Sequence, residues 1–121
     1  MLKIYNEIVK KSREMKYDEV KNLLKQFLIA YKNHILLEDT KLYIGLQDKY
    51  KEHFRVAKMI DEMQKEMNGI TRTVTMFVRK YENDLNYSNL EEFSNELSQI
   101  GQALGRRITT EEERLYPLFS D

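Results

Sequence analysis

The residues most able to do chemistry occur in two similar segments, one before the middle of the chain and one at its end. The first reads YKNHILLEDTKLYIGL over residues 31–46, and the second reads GRRITTEEERLYPL over residues 105–118. Their alignment pairs His34 with Arg107, Glu38 with Glu111, Asp39 with Glu112, Leu42 with Leu115 and Tyr43 with Tyr116. Because positions i and i+4 share one face of a helix, the first segment has the spacing of helix-borne metal ligands.

The second segment departs from this pattern, because Arg107 stands where the first segment has a histidine. A guanidinium group keeps its proton at ordinary pH and does not ligate a metal. Its planar fork can instead hold a carboxylate through two hydrogen bonds. Two arrangements satisfy the sequence: Arg107 lies inside and neutralises Glu38 and Glu111, or it points outward beside Arg106.

Helical spacing places His34, Glu38 and Glu111 on the inward side of their helices. A buried, unpaired carboxylate costs several kcal/mol, so each one needs a proton, a cation or a basic partner. We predict an internal polar network of His34, Glu38, Arg107 and Glu111. For His34 and Glu38, a hydrogen-bonded pair one turn apart and a pair of metal ligands both remain open.

The elements that carry these residues are predicted to be four amphipathic helices in a single domain, residues 1–121. Apolar residues recur every three or four positions in the segments 2–15, 18–46, 50–81 and 88–118. Breaks are expected at 15–18, 45–48 and 83–88. Such short connections are typical of an all-α, up-down-up-down four-helix bundle.

Two local features of these helices are also predicted. Gly69 and the threonines up to Thr75 suggest a kink in the third helix. Ser88 and Glu91 have the spacing of a capping box at the start of the last helix.

The composition excludes several classes of function. Twenty Lys plus Arg balance twenty Asp plus Glu, so net charge favours neither nucleic acid nor an anionic membrane. The absence of cysteine excludes disulfides, thiolate catalysis and iron-sulfur ligation by cysteine. No motif pairs a nucleophile with a base, so no catalytic residues and no enzyme activity are expected. Without a membrane-spanning run or a signal peptide, we expect a cytoplasmic protein.

The paired motifs make a family resemblance specific. The chain resembles the hemerythrin-like (HHE cation-binding) family through His34-x-x-x-Glu38-Asp39-x-x-Leu42-Tyr43 and Arg107-x-x-x-Glu111-Glu112-x-x-Leu115-Tyr116-Pro117-Leu118. The resemblance implies a four-helix bundle with a non-haem di-iron site that binds dioxygen or senses oxygen and iron. It also implies that His34 and Glu38 match ligands of the second helix and that Glu111 or Glu112 matches a ligand of the last.

The third helix offers His53 as a further candidate ligand, with Asp61 and Gln64 as rivals. The turn at 45–48 places His34 and Glu38 opposite residues near 55 to 60, whereas the turn at 83–88 places Arg107 and Glu111 opposite residues near 63 or 64. The two estimates of depth differ by about two helical turns. A solvated histidine at the rim is the alternative for His53. On the first helix, Tyr5 is the nearest inward polar group. A metal site would therefore use the reduced set His34, Glu38, His53, Glu111 and Glu112, with Tyr5 or Asp61 in addition.

Two functions from different classes follow. In the first, the chain is a regulatory or protein-interaction module whose di-iron site is degenerate or lost, with no cofactor, an unidentified protein partner and homodimerisation as an option. In the second, it carries or senses oxygen or iron through a non-haem iron site of reduced ligands. A narrower version of the first rests on residues 93–107, FSNELSQIGQALGRR, which are weakly similar to the regulator-of-sigma-D family and imply a sequestered sigma factor.

Overall fold

The computed structural model describes residues 1–119; the side chains at positions 38–40 and 119 lie outside the described residues. Five α-helices follow one another along the chain: α1 (Leu2–Arg13), α2 (Tyr17–Glu38), α3 (Ile44–Lys49), α4 (Phe54–Tyr81) and α5 (Leu90–Thr110). A π-helical turn, Asp39–Tyr43, joins α2 to α3 without a break in the helical backbone. A second π-helical turn, Glu111–Leu115, extends α5 and is followed by the short 3-10 helix Tyr116–Phe119.

These elements form four helical arms, because α2 and α3 are one continuous arm. Each arm packs against the next, and α5 closes the ring against α1. The predicted all-α four-helix bundle is therefore confirmed. Within the described part of the chain, no helix combines the length and apolarity that a membrane crossing requires.

The second connection differs from the one predicted. The sequence predicts a break at 45–48, but helix α3 runs through Gly45 and ends at Lys49. The chain turns over residues 50–53, where the backbone N–H of His53 donates to the Tyr50 carbonyl at 2.9 Å. Glycine lowers helix propensity by only about 1 kcal/mol, so packing of Leu46, which is fully buried, overrides it.

Helix α4 contains the segment in which the sequence predicts a kink or weak point. It is continuous from Phe54 to Tyr81 and has no interruption near Gly69. The hydroxyls of Thr71, Thr73 and Thr75 donate to the carbonyls four residues earlier, at 3.0, 3.2 and 2.8 Å. These bonds satisfy the hydroxyl groups within the helix, which is how threonine is accommodated in a helix interior.

The cap before α5 uses different residues from those predicted. The side chain of Asn86 accepts from the Ser88 backbone N–H at 2.8 Å, and the Asn86 N–H donates to the Asn89 side chain at 2.9 Å. Asparagine is a strong helix-capping residue, and the pair forms a reciprocal box over the 3-10 turn Tyr87–Asn89. The predicted Ser88–Glu91 box is wrong, because the helical backbone starts earlier, at Tyr87.

The interior divides into two apolar clusters. The larger one fills the bundle with residues from α1, α2, α4 and α5, among them Ile8, Leu24, Phe27, Phe77 and Phe93. The smaller one lies at the end of the bundle where both π-helical turns are found. It consists of Leu42, Tyr43, Leu46, Ile60, Met63 and Leu115, and we call it the end cluster.

Helix α1 approaches α5 closely because α5 has a glycine where the two meet. The hydroxyl of Tyr5 donates to the Leu97 carbonyl at 2.9 Å, and its ring lies over Gly101. A Cβ atom at position 101 would come within 2.6 Å of Tyr5 Cζ, so only glycine admits this contact. Burial raises the pKa of the Tyr5 phenol, which therefore stays protonated and donates to Leu97.

Candidate functional site

The candidate site is a buried ion pair at the end of α5. Arg107 lies in the last turn of α5 with 3% of its surface exposed, and Glu111 opens the following π-helical turn with 2% exposed. The Nε atom of Arg107 donates to Glu111 Oε1 at 3.1 Å. The spacing of four residues along a helix brings the two side chains to the same face.

Three further groups face the guanidinium of Arg107. Its Nη2 atom donates to the backbone carbonyl of Met63 at 2.7 Å and to the hydroxyl of Tyr43. Its Nη1 atom lies 4.0 Å from Glu66 Oε2. We call Arg107, Glu111, Tyr43, Met63 and Glu66 the Arg107 cluster, which joins α4 and α5 to the π-helical turn after α2.

The Arg107 cluster is buried on the side of the end cluster and exposed at Glu66. Tyr43 is fully buried and its ring also faces the guanidinium, with Arg107 Cζ 5.8 Å from the ring centroid. Glu66 is 68% exposed, so its charge is screened by water. Arg107 Nη1 is buried and has no hydrogen-bond partner among the described residues. The dominant interaction is therefore the pair of opposite charges on Arg107 and Glu111.

This geometry decides between the two arrangements that the sequence leaves open for Arg107. Its side chain points inward, against Glu111, and does not lie on the surface beside Arg106. Its contact with Met63 also agrees with the expected depth on the third helix, near residues 63 or 64. The side chain of Glu38, the other carboxylate of the predicted network, lies outside the described residues.

His34 differs from its predicted position. The sequence places it on the inward side of α2, but its side chain is exposed. Tyr31 and Ile35 take the interior positions of that turn, with 0% and 7% exposure. At 100° per residue His34 falls on the flank of this stripe, about 60° from Tyr31 and away from Ile35.

The other candidate ligands are spread over the surface or are bonded elsewhere. His53 is exposed just before α4, with its ring edge-on to Tyr50 at 5.6 Å between centroids. Glu112 is exposed beside the buried Glu111. Asp61 pairs with Lys65 at 3.0 Å.

Gln64 and Tyr5 are likewise held by groups other than the cluster. Gln64 Oε1 accepts from Gln47 Nε2 at 2.8 Å, and the Tyr5 hydroxyl donates to Leu97. The register of α2 against α4 explains why these residues lie away from the Arg107 cluster. With the turn at 50–53 instead of 45–48, α2 is opposite later residues of α4, as shown by the 3.1 Å hydrogen bond between the hydroxyls of Tyr31 and Thr71.

Sequence reasoning missed Tyr43, the Met63 carbonyl and Glu66 as parts of the site. A signal for Tyr43 existed, because it belongs to the Leu-Tyr pair that closes both repeated segments. No side-chain pattern marks Met63, since it contributes a backbone oxygen.

The sequence of the chain also identifies its family. The hemerythrin family model, described as the hemerythrin HHE cation binding domain, matches residues 1–119. The chain therefore belongs to the hemerythrin family, as its paired motifs predict. No curated protein and no solved structure matches it significantly.

The family implies a bound cation, and the described residues do not fit one. Among them, no three histidine, cysteine, aspartate or glutamate side chains come together in a group able to hold a metal ion. The Arg107 guanidinium already binds the Glu111 carboxylate, and a metal ion beside it would be repelled by a fixed positive charge at close range.

Proposed function

We propose that this chain is a regulatory or protein-interaction module, a hemerythrin-family bundle in which Arg107 supplies the positive charge that a metal supplies elsewhere. The proposal assigns it no catalytic activity, places it in the cytoplasm and gives it a protein partner in place of nucleic acid or membrane. Sequestration of a sigma factor is a narrower form of the same proposal.

The observation that carries the proposal is the contact between Arg107 and Glu111. A buried carboxylate requires compensation, and the guanidinium compensates it through a charge-assisted bond of 3.1 Å. The Nη2 atom of Arg107 also donates to the Met63 carbonyl and to the Tyr43 hydroxyl, so three groups of the chain itself bind the guanidinium. On this proposal the end cluster needs no added ion, and the outer surfaces of the bundle serve for recognition.

The alternative is a non-haem iron protein with a reduced ligand set, and the family's cation-binding description favours it. Metal analysis separates the two. The untagged chain is purified anaerobically, its iron, manganese and zinc are measured, and its absorption spectrum is recorded after iron loading and exposure to air. We expect substoichiometric metal and no oxo-bridge absorption. Two irons per chain would overturn the proposal.

Thermal unfolding gives an independent readout. A metal that binds only the folded state raises the midpoint of unfolding by mass action, so a chelator lowers the midpoint of a metal-dependent bundle. We expect the same Tm with a chelator and with added ferrous iron. An iron-binding member of the same family serves as positive control.

A further inference from the structure

A surface groove lies between α4 and α5 and shares only Glu66 with the Arg107 cluster. Its volume is about 690 Å³, within the range of specific binding sites. Its floor is apolar and is formed by Ile70, Val74, Phe77, Ile100 and Ala103. It extends along α4 from Glu66 to Lys80, about 21 Å at 1.5 Å per residue.

The charged side chains that line the groove are Glu66 at one end and Lys80 with Glu96 at the other. Lys80 Nζ is already bound at 2.6 Å by Glu92 and at 3.3 Å by Glu96. Its charge is thus shared between two carboxylates, and this end of the groove is net negative. Glu96 is the carboxylate that lines the groove at this end.

The charges at the other end also favour a cation. Glu66 is paired only loosely with Arg107, at 4.0 Å, and Arg107 is itself neutralised by Glu111. A fatty acid or another anion with an apolar body would bring its charge against Glu66 or Glu96. The shape of the groove also favours a helix as the ligand, because amphipathic helices bind in long apolar grooves between two helices.

We propose that this groove binds a short amphipathic helix of a partner protein, whose apolar face enters the groove and whose lysine or arginine residues meet Glu66 and Glu96 at its two ends. The inference rests on the proposed function and names the chemistry of the partner. Apolar residues of the partner helix at positions i, i+4, i+7 and i+11 would follow the floor from one end to the other.

Gly69 allows a matched pair of variants. It lines the groove, and a Cβ atom there would lie 4.0 Å from Arg72 Nη2 with nothing nearer, so Gly69→Leu fills the groove without a clash in the bundle. Gly105→Leu is the control, because its Cβ would have nothing within 4 Å and Gly105 does not line the groove. Leucine favours helix over glycine at both positions, so both variants are expected to fold.

The probe is a fluorescently labelled synthetic helix of about 15 residues, since that length spans the groove. It carries leucines on one face and lysines at both ends. A second peptide has glutamates in place of the lysines, and a third has the leucines distributed around the helix. Fluorescence anisotropy with the full-length chain measures each Kd, and amide chemical shifts locate the bound peptide.

We expect the lysine peptide to bind the wild type and Gly105→Leu equally and to bind Gly69→Leu at least about tenfold more weakly, which corresponds to about 1.4 kcal/mol. The glutamate peptide and the peptide with dispersed leucines should lose at least as much affinity. The inference is overturned if the lysine peptide fails to bind, if Gly69→Leu binds it like the control, or if the chain self-associates through the groove. If one of these results is obtained and the chain is free of metal, only the groove inference fails and the proposed function stands. If the chain instead contains stoichiometric iron, the proposed function fails, and the peptide measurements alone decide whether the groove binds a helix.

Discussion

The two repeated segments of the chain have the same backbone conformation but different polar side chains and contacts. Each passes through a π-helical turn, Asp39–Tyr43 in the first and Glu111–Leu115 in the second. Each also buries its leucine, with Leu42 at 6% and Leu115 at 0% exposure. The repeat in the sequence thus corresponds to a repeat in helix geometry, and π-helical turns are rare enough for their recurrence at equivalent places to be informative.

The polar positions are not equivalent. His34 is exposed, whereas its counterpart Arg107 is buried. Tyr43 is fully buried and accepts from Arg107, whereas its counterpart Tyr116 is 45% exposed. The site is therefore not a symmetric pair of half-sites. The second segment provides the charged pair, Arg107 and Glu111, and the first provides the Tyr43 hydroxyl, which accepts a hydrogen bond from Arg107.

The largest effect of this asymmetry is expected when Arg107 and His34 are each replaced by alanine. Arg107→Ala removes the guanidinium that pairs with the buried Glu111 carboxylate, so we expect the free energy of unfolding to fall by about 3 to 5 kcal/mol. His34→Ala removes an exposed side chain and should change it by less than about 0.5 kcal/mol. Urea denaturation of both variants measures the difference, and a loss below about 1 kcal/mol for Arg107→Ala would contradict the buried pair.

A double variant separates the charge from the packing. In Arg107→Met with Glu111→Leu both charges are replaced by apolar groups of similar length, and we expect most of the lost stability to return. If the double variant is as unstable as Arg107→Ala, shape and not charge compensation is the reason for the loss.

The leucines test the part of the comparison in which the segments agree. Leu42→Ala and Leu115→Ala each remove a buried side chain from the end cluster, and we expect similar losses of about 2 to 4 kcal/mol. Both values come from the same urea denaturation series. A difference of more than about 2 kcal/mol would show that the two π-helical turns do not support the cluster equally.

Substitution of the two tyrosines, Tyr43 and Tyr116, should change the stability least. It tests whether the asymmetry depends on the Tyr43 hydroxyl. Tyr43→Phe removes the oxygen that accepts from Arg107 Nη2, so we expect a loss of about 1 to 2 kcal/mol. Tyr116→Phe alters a half-exposed residue and should cost less than about 0.5 kcal/mol. Equal effects of the two substitutions, measured by chemical denaturation, would remove Tyr43 from the site.

The helices and the core were predictable because the apolar repeat that indicates them extends over many residues of each helix. Val20, Leu24, Phe27, Tyr31 and Ile35 repeat along α2, and all five are buried. No single misplaced residue can change a pattern of that length. The caps and turns depend on one or two residues each, which is why the break at 45–48 and the box of Ser88 and Glu91 were placed wrongly.

The site was predictable only in part, for a reason of helix geometry. Arg107 and Ile108 differ by 100° around α5, and both fall near the edge of the apolar stripe, so sequence spacing cannot choose between them. The π-helical turn that follows adds a residue to the helix and changes the register of everything after it. Only the packing of Met63 and Tyr43 against the guanidinium shows that position 107 is interior.

The location of the positive charge on a side chain also affects how the protein matures. An ion held by ligands has a dissociation rate, depends on its concentration in the surrounding solution and can change its oxidation state. The Arg107 guanidinium is joined to the chain when residue 107 is synthesised, so its presence does not depend on the surrounding solution. The end of the bundle that contains it is therefore neutralised as soon as the chain folds, and neither iron starvation nor oxidation can remove that charge.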